Sequence, residues 1–207
     1  MDAAAIESER ILFEDISDEQ LLGRAREGEE AAFRVLYERH RTPLFRFAYR
    51  LLGSVESAED ATHDCFLSLL RDSTKFDAAR ASLRTYLFAA VRNQSLKRLA
   101  MRGEEVLIDD ERIEATGAGR TPEPLRHVLA AEVGREVRRA IGELPALQRE
   151  AILLFEYEEL SLAEIAEVTG SDVGTIKSRL HRARISLRKA LEAFVADADV
   201  VSVGGEH

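Results

Sequence analysis

An all-α fold of two small helical domains joined by a flexible linker is predicted by three features of the sequence. Apolar residues recur at helical spacing through most of the chain, serine- and aspartate-led capping motifs open the periodic segments, and residues 103–130 break the pattern with a stretch rich in Gly, Pro and acids. No segment calls for a strand and no internal repeat is visible. The division this predicts is an N-terminal tail at 1–16, a helical domain at 17–102, a linker at 103–130, a second helical domain at 131–192 and a C-terminal tail at 193–207.

In the first domain Ser17-Asp18-Glu19-Gln20 is a capping box ahead of Leu21, Leu22 and Ala25, with a stop near Gly28. A long segment from Glu29 to Gly53 carries Ala32, Phe33, Leu36, Leu44, Phe47, Ala48, Leu51 and Leu52 at helical spacing. Pro43 predicts a kink or a division within it, and Gly53 a left-handed stop. Ser57-Ala58-Glu59-Asp60 reads as the start of a third helix, and a loop is expected at Asp72–Arg80. Ser82 then caps a helix through Leu83, Leu87, Ala90, Val91 and Leu99, closing at Gly103. In the second domain periodicity resumes over Ala131–Leu144, and Pro145 suits the first position of another helix.

Composition narrows the function classes. The 207 residues are 45% hydrophobic and 32% charged, as in a globular chain. A single cysteine, Cys65, excludes a disulfide framework and any cysteine-based metal cluster. No run approaches eighteen apolar residues, and the acidic start lacks the basic and apolar regions of a signal peptide. The expectation is a cytoplasmic protein with no direct membrane insertion, no cofactor and no metal.

Net charge is −9, which taken whole argues against a nucleic-acid partner. Its distribution argues otherwise. Residues 1–30 carry net −7, residues 31–102 net +6, residues 103–170 net −9 and residues 171–207 net +1. Within the last block, 173–191 holds six basic side chains and no acid. Two basic islands thus lie in an acidic chain, and the local field is what a phosphate backbone meets.

The second island has a definite pattern. Ser161-Leu162-Ala163-Glu164 is a capping box for a short helix through Ile165, Ala166 and Val168, and Gly170 ends it. Asp172 caps the next helix, in which Ile176, Leu180, Ala183 and Leu187 form a buried stripe. Helix, tight turn, longer helix is the helix-turn-helix arrangement. Thr175, Lys177, Ser178, Arg179, His181 and Arg182 are left outward near the start of the second helix, where base edges and phosphates are read. Arg184, Arg188 and Lys189 lie further along, towards phosphates or solvent.

The first domain offers no catalytic set and no small-molecule substrate site. His40 and His63 have no metal or nucleophile partners in pattern, the Glu59/Asp60/Asp64 cluster reads as an acidic first turn, and Cys65 sits among core positions. Three functions therefore remain open to the residues alone: a promoter-specificity factor, a helix-turn-helix repressor or activator, and a helical protein-interaction module.

Phe33-x-x-Leu36-Tyr37-x-x-His40, Leu51-Leu52-Gly53-Ser54, Ala58-Glu59-Asp60-Ala61-x-x-Asp64-x-Phe66 and Tyr86-Leu87-x-x-Ala90-x-Arg92-Asn93 resemble the first domain of bacterial RNA polymerase sigma factors. Residues 174–188 resemble their second domain, and the two-domain layout is similar to the extracytoplasmic-function (ECF) group. The resemblance covers about residues 17–102 and 131–192. It implies that the chain binds core RNA polymerase and promoter DNA, that it does no chemistry itself, and that an anti-sigma factor holds it inactive. By the same resemblance Glu59, Asp60, His63, Asp64 and Phe66 fall at polymerase-binding positions, with His63 where the family usually has Gln. Phe76, Tyr86, Arg92, Asn93, Lys97 and Arg98 fall in the part that reads and melts the −10 element. There Tyr86 replaces the usual Trp and Lys97 a common Asp. Thr175, Lys177, Ser178, Arg179, His181 and Arg182 fall at positions that face the −35 element. The acids of the linker, Glu104, Glu105, Asp109, Asp110 and Glu111, are expected to thread near the active-site channel and to discourage polymerase-free DNA binding.

Overall fold

Ser17 opens the first helix as its sequence predicts. Its hydroxyl accepts from the Gln20 backbone N–H while the Ser17 N–H donates to the Gln20 side chain, so two otherwise orphaned donors are satisfied together. The computed structural model describes residues 13, 15–71, 76–102 and 126–203, and all the regular structure of those residues is helical. α1 (Asp18–Arg26), α2 (Glu30–Leu52), α3 (Val55–Arg71) and α4 (Leu83–Met101) form the N-terminal domain. α5 (Arg126–Gly142), α6 (Ala146–Ile152), a π-helical turn at Leu153–Tyr157, α7 (Leu162–Thr169) and α8 (Val173–Val203) form the C-terminal domain.

α2, α3 and α4 pack on one another, and α1 lies across α2. Leu36, Leu44, Phe47 and Leu51 of α2, Ala61, Cys65 and Leu69 of α3, and Leu83, Leu87, Phe88 and Val91 of α4 are buried between them. Phe47 and Phe88 meet edge to face with ring centroids 5.7 Å apart. Each such side chain contributes about 1.5–3 kcal/mol by leaving water. Cys65 belongs to this core: burial pushes its thiol up to about 12, far from the thiolate that reacts with electrophiles. Iodoacetamide at pH 8 is expected to leave Cys65 unmodified in the folded chain and to alkylate it in urea. Modification of the native protein, followed by mass spectrometry, would contradict this.

The N-terminal domain is also closed by polar contacts. Asp18 accepts from Arg39 Nη1 at 2.7 Å and from His40 Nε2 at 2.6 Å, tying α1 to α2. Arg39 further donates to the Ile16 and Phe13 carbonyls. Partial burial raises the pKa of the Asp18 carboxyl, but the bonds from His40 and Arg39 outweigh it and hold the group below its ordinary range. A depressed carboxylate contributes stability that is fully present above its unfolded value, near 4, and lost as pH falls through the folded one. Asp18→Asn is therefore expected to lower stability by about 1–3 kcal/mol at neutral pH. The gap to the parent should close in urea titrations below about pH 4.

Several boundaries differ from the sequence reading. α2 runs unbroken through Pro43 from Glu30 to Leu52. Proline removes one helical donor there, yet His40, Leu44 and Phe47 are buried on both sides of it, and tertiary packing holds the axis. α3 starts at Val55 instead of Ser57, because Ser54 accepts from the Ser57 N–H and is the cap. The N-terminal tail is docked at its end: Phe13 is buried and Ile16 packs against the core. The last five residues of the expected linker already belong to α5, and α8 continues to Val203, through much of the expected C-terminal tail. Residues 1–12, 72–75, 103–125 (with the linker acids Glu104, Glu105, Asp109, Asp110 and Glu111) and 204–207 lie outside the described residues.

The two domains also touch each other directly, which periodicity could not reveal. α4 packs on α7, and α2 meets α6 and the π-helical turn. Their buried apolar side chains form one continuous cluster.

Candidate nucleic-acid interface

The helix-turn-helix is built by local chemistry at each junction. Ser161 and Glu164 complete the capping box of α7, with Ser161 N–H donating to Glu164 at 2.8 Å. This bonding holds the Glu164 carboxyl below its ordinary range. Gly170 ends α7 at φ 64°, a left-handed conformation that glycine adopts without a Cβ penalty. The Asp172 carboxylate then accepts from the Thr175 backbone N–H at 2.9 Å and from its hydroxyl at 2.6 Å, which caps α8. Those bonds keep Asp172 ionised by holding its pKa down.

With that start fixed, Ile176, Leu180 and Ala183 are buried and Leu187 packs beside them. The opposite side presents Lys177, Ser178, His181 and Arg182 to solvent. Four of the six residues expected to face the −35 element thus share one exposed, acid-free face. The other two are occupied: Thr175 is bonded to Asp172, and Arg179 points back towards Glu150, with Nη1 3.5 Å from Oε1. That approach gives charge attraction without hydrogen-bond alignment.

α4 carries the residues expected at the −10 element. Phe76 and Tyr86 lie edge to face with centroids 5.6 Å apart, both half-buried against the core. Asn93 and Lys97 are exposed, and Arg92 Nη1 donates to Asn93 at 3.3 Å. Arg98 donates to Asp64 at 2.7 Å, so one expected DNA contact is paired with one expected polymerase contact. On α3, Glu59, Asp60 and His63 are exposed along one side. Phe66 is not: it is 2% exposed and packs with Phe33 and Tyr37, 4.7 Å from the latter ring. Its expected polymerase contact is corrected to a packing role, because the helical turn that exposes Glu59 and His63 turns Phe66 inwards. No group of three or more metal-ligating side chains occurs among the described residues.

The residue that the sequence reading missed is Glu150. Its side chain is 0% exposed and receives both Arg92 Nε at 2.7 Å and Arg92 Nη2 at 3.0 Å. A buried carboxylate survives only when paired in this way. The signal was present in Gln148-Arg149-Glu150, three polar residues inside the otherwise apolar run Ala146–Leu154, all of them buried. Arg149 also reaches across, donating to the Leu51 carbonyl at the end of α2 at 3.1 Å.

Against this geometry, two family profiles match the chain: Sigma-70 region 2 over residues 36–104 and Sigma-70 region 4 over residues 134–187. The ECF RNA polymerase sigma factor SigW of Bacillus subtilis is 30% identical over 80% of this chain and 92% of its own length. SigM of Mycobacterium tuberculosis, also named an ECF sigma factor, is 33% identical over 84% of this chain and 85% of its own. The chain belongs to the ECF sigma factors of RNA polymerase. Solved sigma factors share the fold. RpoE in complex with the anti-sigma factor NepR from Bartonella quintana aligns with TM-score 0.59 and 27% identity, covering 77% of this chain and 96% of that one. CnrH in complex with the cytosolic domain of CnrY aligns with TM-score 0.62 and 25% identity, covering 85% and 97%. As in any sigma factor, the work of this ECF chain is transcription initiation. The region 2 match spans α3 and α4, and the region 4 match spans the whole helix-turn-helix. No helix among the described residues is long and apolar enough to cross a membrane.

Proposed function

We propose that this ECF sigma factor joins core RNA polymerase through the exposed side of α3, with Glu59, Asp60 and His63 as contacts. It then directs initiation at promoters whose −35 element is read by α8 and whose −10 element is read and melted by α4. The domain limits 17–102 and 131–192 are the corresponding functional units, extended by the first turns of α5. The observation that carries this reading is the face formed by Lys177, Ser178, His181 and Arg182 on a capped second helix of a helix-turn-helix. A strand held there meets four donors in two helical turns and no competing carboxylate.

On α4, opening a duplex requires unstacked bases to be held, and Asn93 with the Tyr86 ring and Lys97 supplies an amide, a π-face and a cation on one helix. The chain holds no catalytic constellation of its own in this reading; polymerase performs the chemistry. The likeness to sigma factors solved with anti-sigma partners supports regulation by such a partner, and action on polymerase supports a cytoplasmic location. The test is run-off transcription with purified core enzyme on promoter fragments selected by the holoenzyme. Promoter-dependent product that requires this chain is expected. Its absence, with the chain folded, would refute the proposal.

A further inference from the structure

Arg92 and Arg179 are expected to serve two different DNA elements, yet in this structure both are drawn to one carboxylate. Glu150 lies 2.7 Å from Arg92 Nε and 3.5 Å from Arg179 Nη1, fully buried between the −10 helix and the recognition helix. Elements centred near −35 and −10 are about 25 base pairs apart, roughly 85 Å along B-DNA at about 3.4 Å per pair. One chain cannot engage both while Arg92 and Arg179 share a carboxylate.

We infer that the two domains form an intramolecular clasp, a latent state in which the −10 reader and the helix-turn-helix domain are each other's partner until polymerase separates them. This rests on the sigma-factor reading of the two DNA surfaces. Three further contacts hold the same seam. Arg84 Nη2 donates to the Glu158 carbonyl, and Arg50 lies 3.6 Å from the Glu158 carboxylate and 4.3 Å over the Tyr157 ring. Arg149 caps the α2 carbonyl of Leu51.

The π-helical turn Leu153–Tyr157 and the left-handed Glu159, at φ 53°, bring Glu158 and Tyr157 to this position. The seam is complementary in charge: arginines of the basic first domain face glutamates of the acidic segment. Glu150 is thus a shared anchor. On opening it releases Arg92 to the −10 strand and keeps Arg179, an internal partner of its own domain.

The experiment uses the full chain with dyes on Glu56→Cys and Lys189→Cys, both exposed positions, one in each domain. Buried Cys65 remains unlabelled. Energy transfer is measured free, bound to core polymerase, and bound to polymerase with promoter. The free chain is expected to give one high-transfer population that shifts to low transfer in the promoter complex. Equal transfer in the free and promoter-bound chain would overturn the clasp. Glu150→Gln, and separately Arg50→Ala with Arg84→Ala, should shift the free chain towards low transfer at unchanged helical circular dichroism. The second variant alters no residue assigned to DNA and leaves the Glu150 pair with Arg179 intact. If both folded variants keep the parent's transfer, the named contacts do not hold the seam. A chain that fails to bind polymerase refutes the functional reading instead, and the transfer of the free chain still decides whether the domains are closed.

Discussion

Glu150→Ala is expected to lower the stability of the chain by about 3–5 kcal/mol, among the largest effects of any single substitution here. The carboxylate is fully buried and accepts two aligned bonds from Arg92, with Arg179 close by. Removing it leaves two guanidinium groups, 11% and 16% exposed, facing a cavity with no counter-charge. Water cannot fully resolvate them while the surrounding helices stay packed, so the cost is that of unpaired buried charge and not only of lost bonds. Glu150→Gln should cost less, because its amide oxygen still accepts one bond from Arg92. Urea unfolding followed by circular dichroism measures both, and the ordering matters more than either value. An alanine variant as stable as the glutamine variant would mean that Arg92 and Arg179 find other partners or water. The central role given to this carboxylate would then be wrong.

What was legible in the sequence is local chemistry. The caps at Ser17, Ser82, Ser161 and Asp172 and the stops at Gly53 and Gly170 depend on bonds between residues three or four apart, or on one backbone angle. The stripe Ile176, Leu180, Ala183 depends only on helical period. Those features fixed the helix-turn-helix and the face that Lys177 and Arg182 share. Pro43 misled because its local penalty is outweighed by buried neighbours far away in sequence. Phe66 misled because a family position says nothing of which way a ring turns in this chain.

The seam between domains was invisible for a different reason. Arg92 and Glu150 are separated by 58 residues, and Arg84 and Glu158 by 74. No spacing rule links them. The charge map did hold a trace of it. The basic island at 31–102 was read as facing DNA, but Arg50, Arg84 and Arg92 of that island face the glutamates of the second domain. Burial pushes Glu158 up against the opposing pull of Arg50, Arg84 and Arg46, so this seam is electrostatically costly to close without those arginines.

The double variant Lys177→Ala with Arg182→Ala is expected to weaken holoenzyme binding at a −35 element by about 2–4 kcal/mol, roughly 30- to 700-fold. Both side chains are exposed on the acid-free face of α8, so folding stability should move by no more than about 0.5 kcal/mol. The two losses differ in kind. If Arg182 reads a base edge, its removal costs about 1–3 kcal/mol and relaxes preference at one position. If Lys177 meets phosphate, its removal weakens every duplex alike and lowers the salt slope by about one. Neither residue shares a partner with the other in this structure, so the single effects should add. Measuring each variant on the selected promoter and on one with a scrambled −35 element, at several salt concentrations, separates these roles. Arg179→Ala is the informative contrast. Its guanidinium is committed to Glu150, so it should lose stability before it loses sequence preference. If Arg179→Ala instead altered base preference with stability intact, Arg179 would leave Glu150 on binding DNA, and the carboxylate would anchor only Arg92.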